Sequence, residues 1–331
     1  MYLEGLDQFS GWFYSSLLTS VAAQNCSPYK KIFVHGFALD EKGRKMSKSL
    51  GNVIAPSQIT KSKGVDVLRF WVAAHGNSSS SIQVSENLMS NCKQEFERFR
   101  NVLKFMLGNL SNFEKPEENL KKVDLFTLHL LAKYFEQIVE NYENFSYNKV
   151  ILNTLNFVAN DLSGFYLSLI KDRLYCEAEN SKNRKSALTT LFWITQILTK
   201  SLGPILPVLA EEINEIIKVE MTQIDANYKN WINEDLAQEF QHVLQIRKTL
   251  NSNIEINKSK ILVKLPGKNL NFSQQDLAEI LQVPQVELVQ EDCEMEILPT
   301  SKYLCPRCRI HQSDEPDNLC QRCEKVVMSL K

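Results

Sequence analysis

The chain has 331 residues, 44% of them hydrophobic and 23% charged, enough to bury more than one core at a usual domain size of about 100 to 200 residues. Its 38 Lys plus Arg are matched by 39 Asp plus Glu, which excludes a global positive field and leaves any nucleic-acid binding to local patches. It contains no uninterrupted apolar run of about 18 residues, and residues 1–30 lack the basic start and apolar centre of a signal peptide, so a soluble chain without a membrane partner is expected.

Met1-Tyr2-Leu3-Glu4-Gly5 enters a dense motif with no preceding strand or cap, the look of a C-terminal fragment of something longer. Residues 12–23 are continuous and largely apolar, which predicts a buried helix. Lys31 to Leu39, aromatic and β-branched and followed by the turn Asp40-Glu41-Lys42-Gly43, predicts one core strand. Arg44-Lys45-Met46-Ser47-Lys48-Ser49-Leu50-Gly51-Asn52 is then a basic, small-residue loop that can lie against phosphates. Val65 to Ala74 reads as helix, and Asn77 to Ser81 as a polar break where a domain can end.

From 85 to 245 the pattern is almost wholly helical. Phe96, Phe99, Leu103, Met106 and Leu107 recur at spacings of three and four; Leu125 to Tyr142 repeats the stripe, with Asp124 as its N-cap. Val150 to Tyr175 and Ala187 to Leu202 do the same, and a further segment runs from Pro207 through Glu211 and Glu212 to Ile217, so a bundle of about five helices is expected. Beyond 245, Ile261 to Pro266 predicts a strand and residues 274–282 a weak helix; residues 281–300, with Glu287, Glu291, Asp292, Glu294 and Glu296, form an acidic link.

Of the eight cysteines, Cys26, Cys92, Cys176 and Cys293 are scattered, whereas Cys305, Cys308, Cys320 and Cys323 form two C-x-x-C pairs separated by eleven residues. Two such knuckles can set four thiolates at the corners of a tetrahedron with Zn–S distances of roughly 2.3 Å and no open position, so one structural Zn²⁺ is expected. A redox dithiol needs only one pair and a thioredoxin-like surround that is absent here. Arg307, Arg309, His311 and Arg322 decorate this ribbon, either as RNA contacts or merely as packing on the protein.

The loop Lys45-Met46-Ser47-Lys48-Ser49 is a weak signal alone, since lysine and serine are common on solvated surfaces. Its setting strengthens it: a predicted strand enters, a glycine leaves, and two lysines one turn apart can face one polyanion, each as a point charge toward phosphate.

In that setting, Phe33 to Asn52 resembles the second signature of class I aminoacyl-tRNA synthetases. Tyr2-Leu3-Glu4-Gly5-Leu6-Asp7-Gln8 with Gly11-Trp12-Phe13 is similar to the adenylate-binding segment of the isoleucyl type, and Gly64 to Trp71 fits the branched-chain subgroup. Phe105 to Leu110, Asp161 to Tyr166, Lys171 to Tyr175 and Pro204 to Pro207 resemble the anticodon-binding domain of bacterial and organellar isoleucyl-tRNA synthetases, and the zinc ribbon belongs to the same group.

The resemblance implies the end of an α/β Rossmann-type catalytic core over 1–76, a helical anticodon-binding domain over 77–245, a small α/β region over 246–300 and a zinc ribbon over 301–331. It implies Glu4, Gly5, Asp7 and Gln8 around the aminoacyl-adenylate, and Met46, Ser47, Lys48 and Ser49 at ATP, with Lys48 acting catalytically and Lys45 assisting. The implied partners are isoleucine, ATP with Mg²⁺, and tRNA(Ile), for a monomer of the mitochondrial matrix or, alternatively, of a bacterial cytoplasm. Phe9 and Ser10 stand where the family usually has His and Arg, and Asn214 where it has Trp. The His-Ile-Gly-His signature and an editing domain are missing, so the chain by itself should not aminoacylate. The alternative reading is a non-catalytic tRNA-binding protein derived from a synthetase.

Overall fold

The computed structural model describes residues 1–76, 81–217, 228–252, 257–267, 270–289 and 294–329. Most of the expected polar break at 77–81, together with Glu291, Asp292 and Cys293, lies outside the described residues. Among the described residues no helix is long and apolar enough to cross a membrane. The chain divides into two compact units, one of Met1–Lys104, Tyr134–Asn156 and Leu198–Val219, the other of Phe105–Lys133, Phe157–Ile197 and Glu220–Lys331.

In the first unit, β1 (Tyr2–Gly5) pairs in parallel with β2 (Ile32–His35), joined by a 3-10 turn over Leu6–Phe9 and helix α1 (Trp12–Gln24). The expected single strand over 31–39 is instead two. After His35 the chain leaves β1, and β3 (Ala38–Leu39) pairs in parallel with β4 (Ile82–Gln83). Phe37 makes the change of partner: its N–H donates to Ser81 Oγ at 3.1 Å and its carbonyl accepts from Ile82 N at 2.8 Å.

Helix α1 also departs from expectation. Its sequence is largely apolar, yet only Phe13 is buried, while Trp12, Tyr14, Leu18 and Val21 are exposed. An apolar composition measures the tendency to be covered, and only the tertiary fold supplies a cover.

Helices α2 (Pro56–Lys63) and α3 (Val65–His75) follow. Asp66 and Arg69 of α3 reach the segment before α9 (Pro207–Ile217) and its first turn. Asp66 Oδ2 accepts from Leu209 N at 2.8 Å, satisfying one of the amides a helix start leaves open. Arg69 donates to the carbonyls of Ile205 at 2.7 Å and Pro204 at 2.9 Å. The Gly64–Trp71 and Pro204–Pro207 motifs are thereby joined within one unit.

The helical part contains α4 (Glu86–Asn109), α5 (Lys122–Glu143), α6 (Tyr147–Asn156), a π-helical stretch over Phe157–Tyr166, α7 (Leu167–Cys176), α8 (Lys182–Leu202), α9 and α10 (Glu234–Ser252). The expected stripe on α4 holds at Phe99, Leu103 and Met106, all buried. The expected helix over 150–175 is continuous but passes through the π stretch, which buries Phe157, Leu162, Phe165 and Tyr166.

Asp124 is not the N-cap of α5. The helix starts at Lys122, the Asp124 N–H donates to Lys121 O at 3.0 Å, and its carboxylate is engaged by Arg173. A buried guanidinium offers a carboxylate more than the capping amides do.

In the second unit, β5 (Ile261–Pro266) lies between parallel β6 (Gln285–Val289) and antiparallel β7 (Glu296–Pro299). Helix α11 (Gln274–Leu281), capped by Ser273, buries Leu277, Ile280 and Leu281. Antiparallel β8 (Tyr303–Leu304) and β9 (His311–Ser313), with α12 (Gln321–Ser329), form the cysteine ribbon.

Candidate active-site loop and candidate metal centre

The lysine loop is built around Asp40. Its Oδ1 accepts from Lys42 N at 3.0 Å and Arg44 N at 2.8 Å, and its Oδ2 from Arg44 Nε and Asn52 Nδ2, both at 2.9 Å. The donor from Asn52 and the Arg44 amide hold this carboxyl well below the usual carboxylate range. Leu39 bridges Lys45, and Met46 N donates to Ala38 O at 3.2 Å. Ser47 N donates to Asn52 Oδ1 at 2.9 Å, and Ser47 Oγ caps the 3-10 turn Lys48–Leu50 through Leu50 N at 3.3 Å. Gly51 ends that turn at φ +63°, the left-handed region that glycine enters without a side-chain penalty. Lys45, Lys48 and Ser49 are exposed and Met46 and Ser47 half-buried. Neither lysine takes part in an ion pair among the described residues.

The segment from Glu4 to Gln8 lies at the end of β1. Glu4 and Asp7 are exposed, Gly5 is buried and Gln8 half-buried. Gln8 Nε2 donates to Asp7 Oδ2 at 3.0 Å, and Gln8 Oε1 accepts from Trp12 N at 3.3 Å. A Cβ at Gly5 would stand 2.7 Å from Asp7 Oδ1, the end of an exposed side chain, and at ordinary contact distance, 3.6 Å, from Phe37 Cε1, so this turn runs close to the Phe37 ring. On the same Phe37 ring sits Lys45 Nζ, 3.6 Å from the centroid. Phe37 thus joins the two motifs. Neither it nor Asp40 was singled out from the sequence; the signal for Asp40 is an Asp opening a four-residue turn that closes on Gly43, a place where Asp accepts backbone amides.

The sulfur atoms of Cys305, Cys308, Cys320 and Cys323 all lie within 4.8 Å of one another. Cys308 and Cys320 Sγ are 3.9 Å apart, close to the edge of about 3.8 Å that a tetrahedron with 2.3 Å metal–sulfur bonds requires. Cys320 N donates to Cys305 Sγ at 3.4 Å. Burial works against ionising the Cys305 thiol, but amides of Cys320, Cys308 and Arg307 outweigh it and bring its pKa to about 6; burial pushes Cys308 and Cys320 up. Four thiols so gathered can hold one metal ion, whose positive charge offsets the cost of four neighbouring thiolates.

Two of the ribbon arginines face α7. Arg307 Nη1 donates to Cys176 O at 2.5 Å and to Cys323 Sγ at 3.5 Å. Arg322 grips Asp172 with both Nη atoms, Nη2 at 2.7 Å, and lies 3.5 Å from Glu177. Arg309, at φ +61° in the first knuckle, is exposed and forms no ion pair among the described residues.

Residues 1–85 match the family described as tRNA synthetases class I (I, L, M and V), and residues 124–266 the anticodon-binding domain of tRNA ligase. The isoleucine–tRNA ligase of Campylobacter concisus is 34% identical over 351 residues, covering 99% of this chain and 38% of that protein. The mitochondrial isoleucine–tRNA ligase of Mus musculus is 32% identical over 391 residues, covering 99% and 38%. That of Staphylococcus carnosus is 34% identical over 369 residues, covering 100% and 40%. The chain therefore spans about two-fifths of the length of these relatives. The fold is similar to that of a LeuRS–tRNA–LeuAMS complex of Agrobacterium radiobacter K84, with a TM-score of 0.53 and 16% identity, covering 91% of this chain and 32% of that one. With the lysine loop, the helical segment and the four-cysteine ribbon in this order, the chain belongs to the class I aminoacyl-tRNA synthetases and corresponds to their C-terminal region, with its anticodon-binding domain.

Proposed function

We propose that the chain is the ATP-loop and tRNA-recognising part of an isoleucine–tRNA ligase. The observation that supports this reading is that Phe37 neighbours both motifs: its ring lies 3.6 Å from where a Cβ at Gly5 would stand and carries the Lys45 ammonium 3.6 Å from its centroid. The reaction is attack of the isoleucine carboxylate on the α-phosphorus of ATP with loss of pyrophosphate, then transfer of the acyl group from the adenylate to a ribose hydroxyl of the terminal adenosine of tRNA(Ile) with release of AMP. Glu4, Gly5, Asp7 and Gln8 would line the adenylate. Lys48, with Lys45, would face the departing phosphates, with Met46, Ser47 and Ser49 shaping the loop. Charge placed where negative charge develops lowers the barrier without reorganisation. Mg²⁺ accompanies the ATP phosphates.

We assign 1–76 to the catalytic domain, 77–245 to anticodon binding, 246–300 to a small α/β region and 301–331 to the ribbon, holding one structural Zn²⁺ through its four cysteines. Of the three arginines proposed to contact tRNA, Arg309 has its head group free of the contacts made by Arg307 and Arg322. The relatives of the chain are of both bacterial and mitochondrial kinds; we place it, as a monomer, in the mitochondrial matrix, with a bacterial cytoplasm as the alternative. The test is pyrophosphate exchange by a protein of the relatives' length carrying this chain, with isoleucine, leucine and valine compared. Exchange driven best by leucine or valine refutes the isoleucyl assignment, and tRNA binding without any exchange favours a non-catalytic tRNA-binding protein.

A further inference from the structure

The two lysines of the loop are held differently. The Lys45 peptide is fixed by the bridge to Leu39 and by Asn52 Nδ2, which donates to Lys45 O at 3.5 Å. Its ammonium rests 3.6 Å from the centroid of Phe37. The Phe37 backbone is itself pinned at both polar groups, by Ser81 Oγ and Ile82 N, and its ring edge faces the Gly5 turn. Lys48 begins the 3-10 turn and is exposed; among the described residues it enters no ion pair or cation–π contact. One lysine is thus anchored at backbone and head, the other at backbone alone.

We propose that Phe37 is a positioning residue, whose ring holds the Lys45 ammonium beside the Gly5–Asp7 segment while Lys48 stays free to follow the phosphates. An aromatic face attracts a cation through its quadrupole, most directly when the two are in contact. A charge already in place needs no reordering during the reaction, whereas a charge that must track a leaving group needs a mobile stem. The functional part of this proposal rests on the ligase reading; the placement of Lys45 does not.

Limited acetylation of the purified chain with acetic anhydride, quantified by mass spectrometry at each lysine, tests the placement. Lys45 should react about two- to five-fold more slowly than Lys48, the range expected of an exposed cation–π contact. Replacing Phe37 by mono-, di- and trifluorophenylalanine keeps the shape and weakens the quadrupole, so the ratio should fall stepwise toward one; Phe37→Tyr should preserve it and Phe37→Leu abolish it. Equal rates in the parent chain, or a ratio that Phe37→Leu changes and fluorination does not, overturn the proposal. In a full-length protein carrying this chain, the same series should lower kcat for pyrophosphate exchange in the same order with little change in the KM for isoleucine. A kcat indifferent to fluorination overturns the positioning role, and a parent protein without exchange refutes the ligase reading while the labelling still decides where Lys45 sits.

Discussion

Asp124 and Arg173 meet as a two-pronged pair, Oδ2 to Nη1 at 2.7 Å and Oδ1 to Nη2 at 2.8 Å, with the Asp124 side chain fully buried and that of Arg173 3% exposed. Tyr166 donates to the same carboxylate at 2.7 Å and Ser186 donates to its other oxygen. Arg173 Nε lies 2.8 Å from Glu279, which also pairs with Lys121 at 2.6 Å. Two of the motifs that mark the anticodon-binding domain, Asp161–Tyr166 and Lys171–Tyr175, each supply one residue to this cluster, so within the second unit they act as a charged core.

Asp124→Ala should therefore destabilise the second unit by about 3–5 kcal/mol, because it leaves Arg173 buried without its partner. Burial opposes ionising Asp124, but Arg173 and the hydrogen bonds of Arg173, Ser186 and Tyr166 outweigh it and lower its pKa. The stabilisation is then complete above the unfolded carboxylate value of about 3.9 and is lost as pH falls through the lower folded value. Urea melts of parent and variant at neutral and acid pH check both points; a loss under 1 kcal/mol at neutral pH contradicts the first.

One metal ion per chain is expected, with zinc the ion found. Cys308→Ser or Cys320→Ser should lose it, since three thiolates no longer close the site. Elemental analysis beside thiol titration decides the matter: a metal-free protein with four reduced thiols and a folded ribbon would count against the assignment.

In a full-length protein carrying this chain, Lys48→Ala should lower the turnover of pyrophosphate exchange by about 10²-fold while leaving the KM for isoleucine within a small factor, because a charge aimed at departing phosphates acts mainly in the transition state. Unchanged turnover with a raised amino-acid KM would sink that role.

The chain should bind tRNA in a salt-dependent way, and Arg309→Ala should reduce the log–log salt slope by about one. Arg322→Ala should act otherwise, lowering the melting temperature of the ribbon by freeing Asp172 and Glu177. Fluorescence titration at several salt concentrations with tRNA(Ile), an anticodon-swapped variant and an unrelated tRNA provides the measurement. Equal affinity for all three removes anticodon recognition, which requires unstacked bases to be read by side chains.

The helices at 65–75 and 207–217, the strand Ile261–Pro266 and the cysteine centre were legible in the sequence because each depends on local information: a periodic stripe, a proline at a helix start, or a ligand spacing set by bond lengths. Tertiary structure alone decided what each side chain meets. Asp124 reads as an N-cap because capping is the local option, and becomes half of a buried ion pair because Arg173, 49 residues away, arrives in the fold. Residues 31–39 read as one strand because period and β-branching carry no record of the partner, and divide at Phe37 because β1 and β4 claim different halves. The apolar run of α1 states a tendency to be covered without naming the cover, and Phe37 becomes a platform only when Gly5 and Lys45 are brought to its ring from opposite sides in sequence.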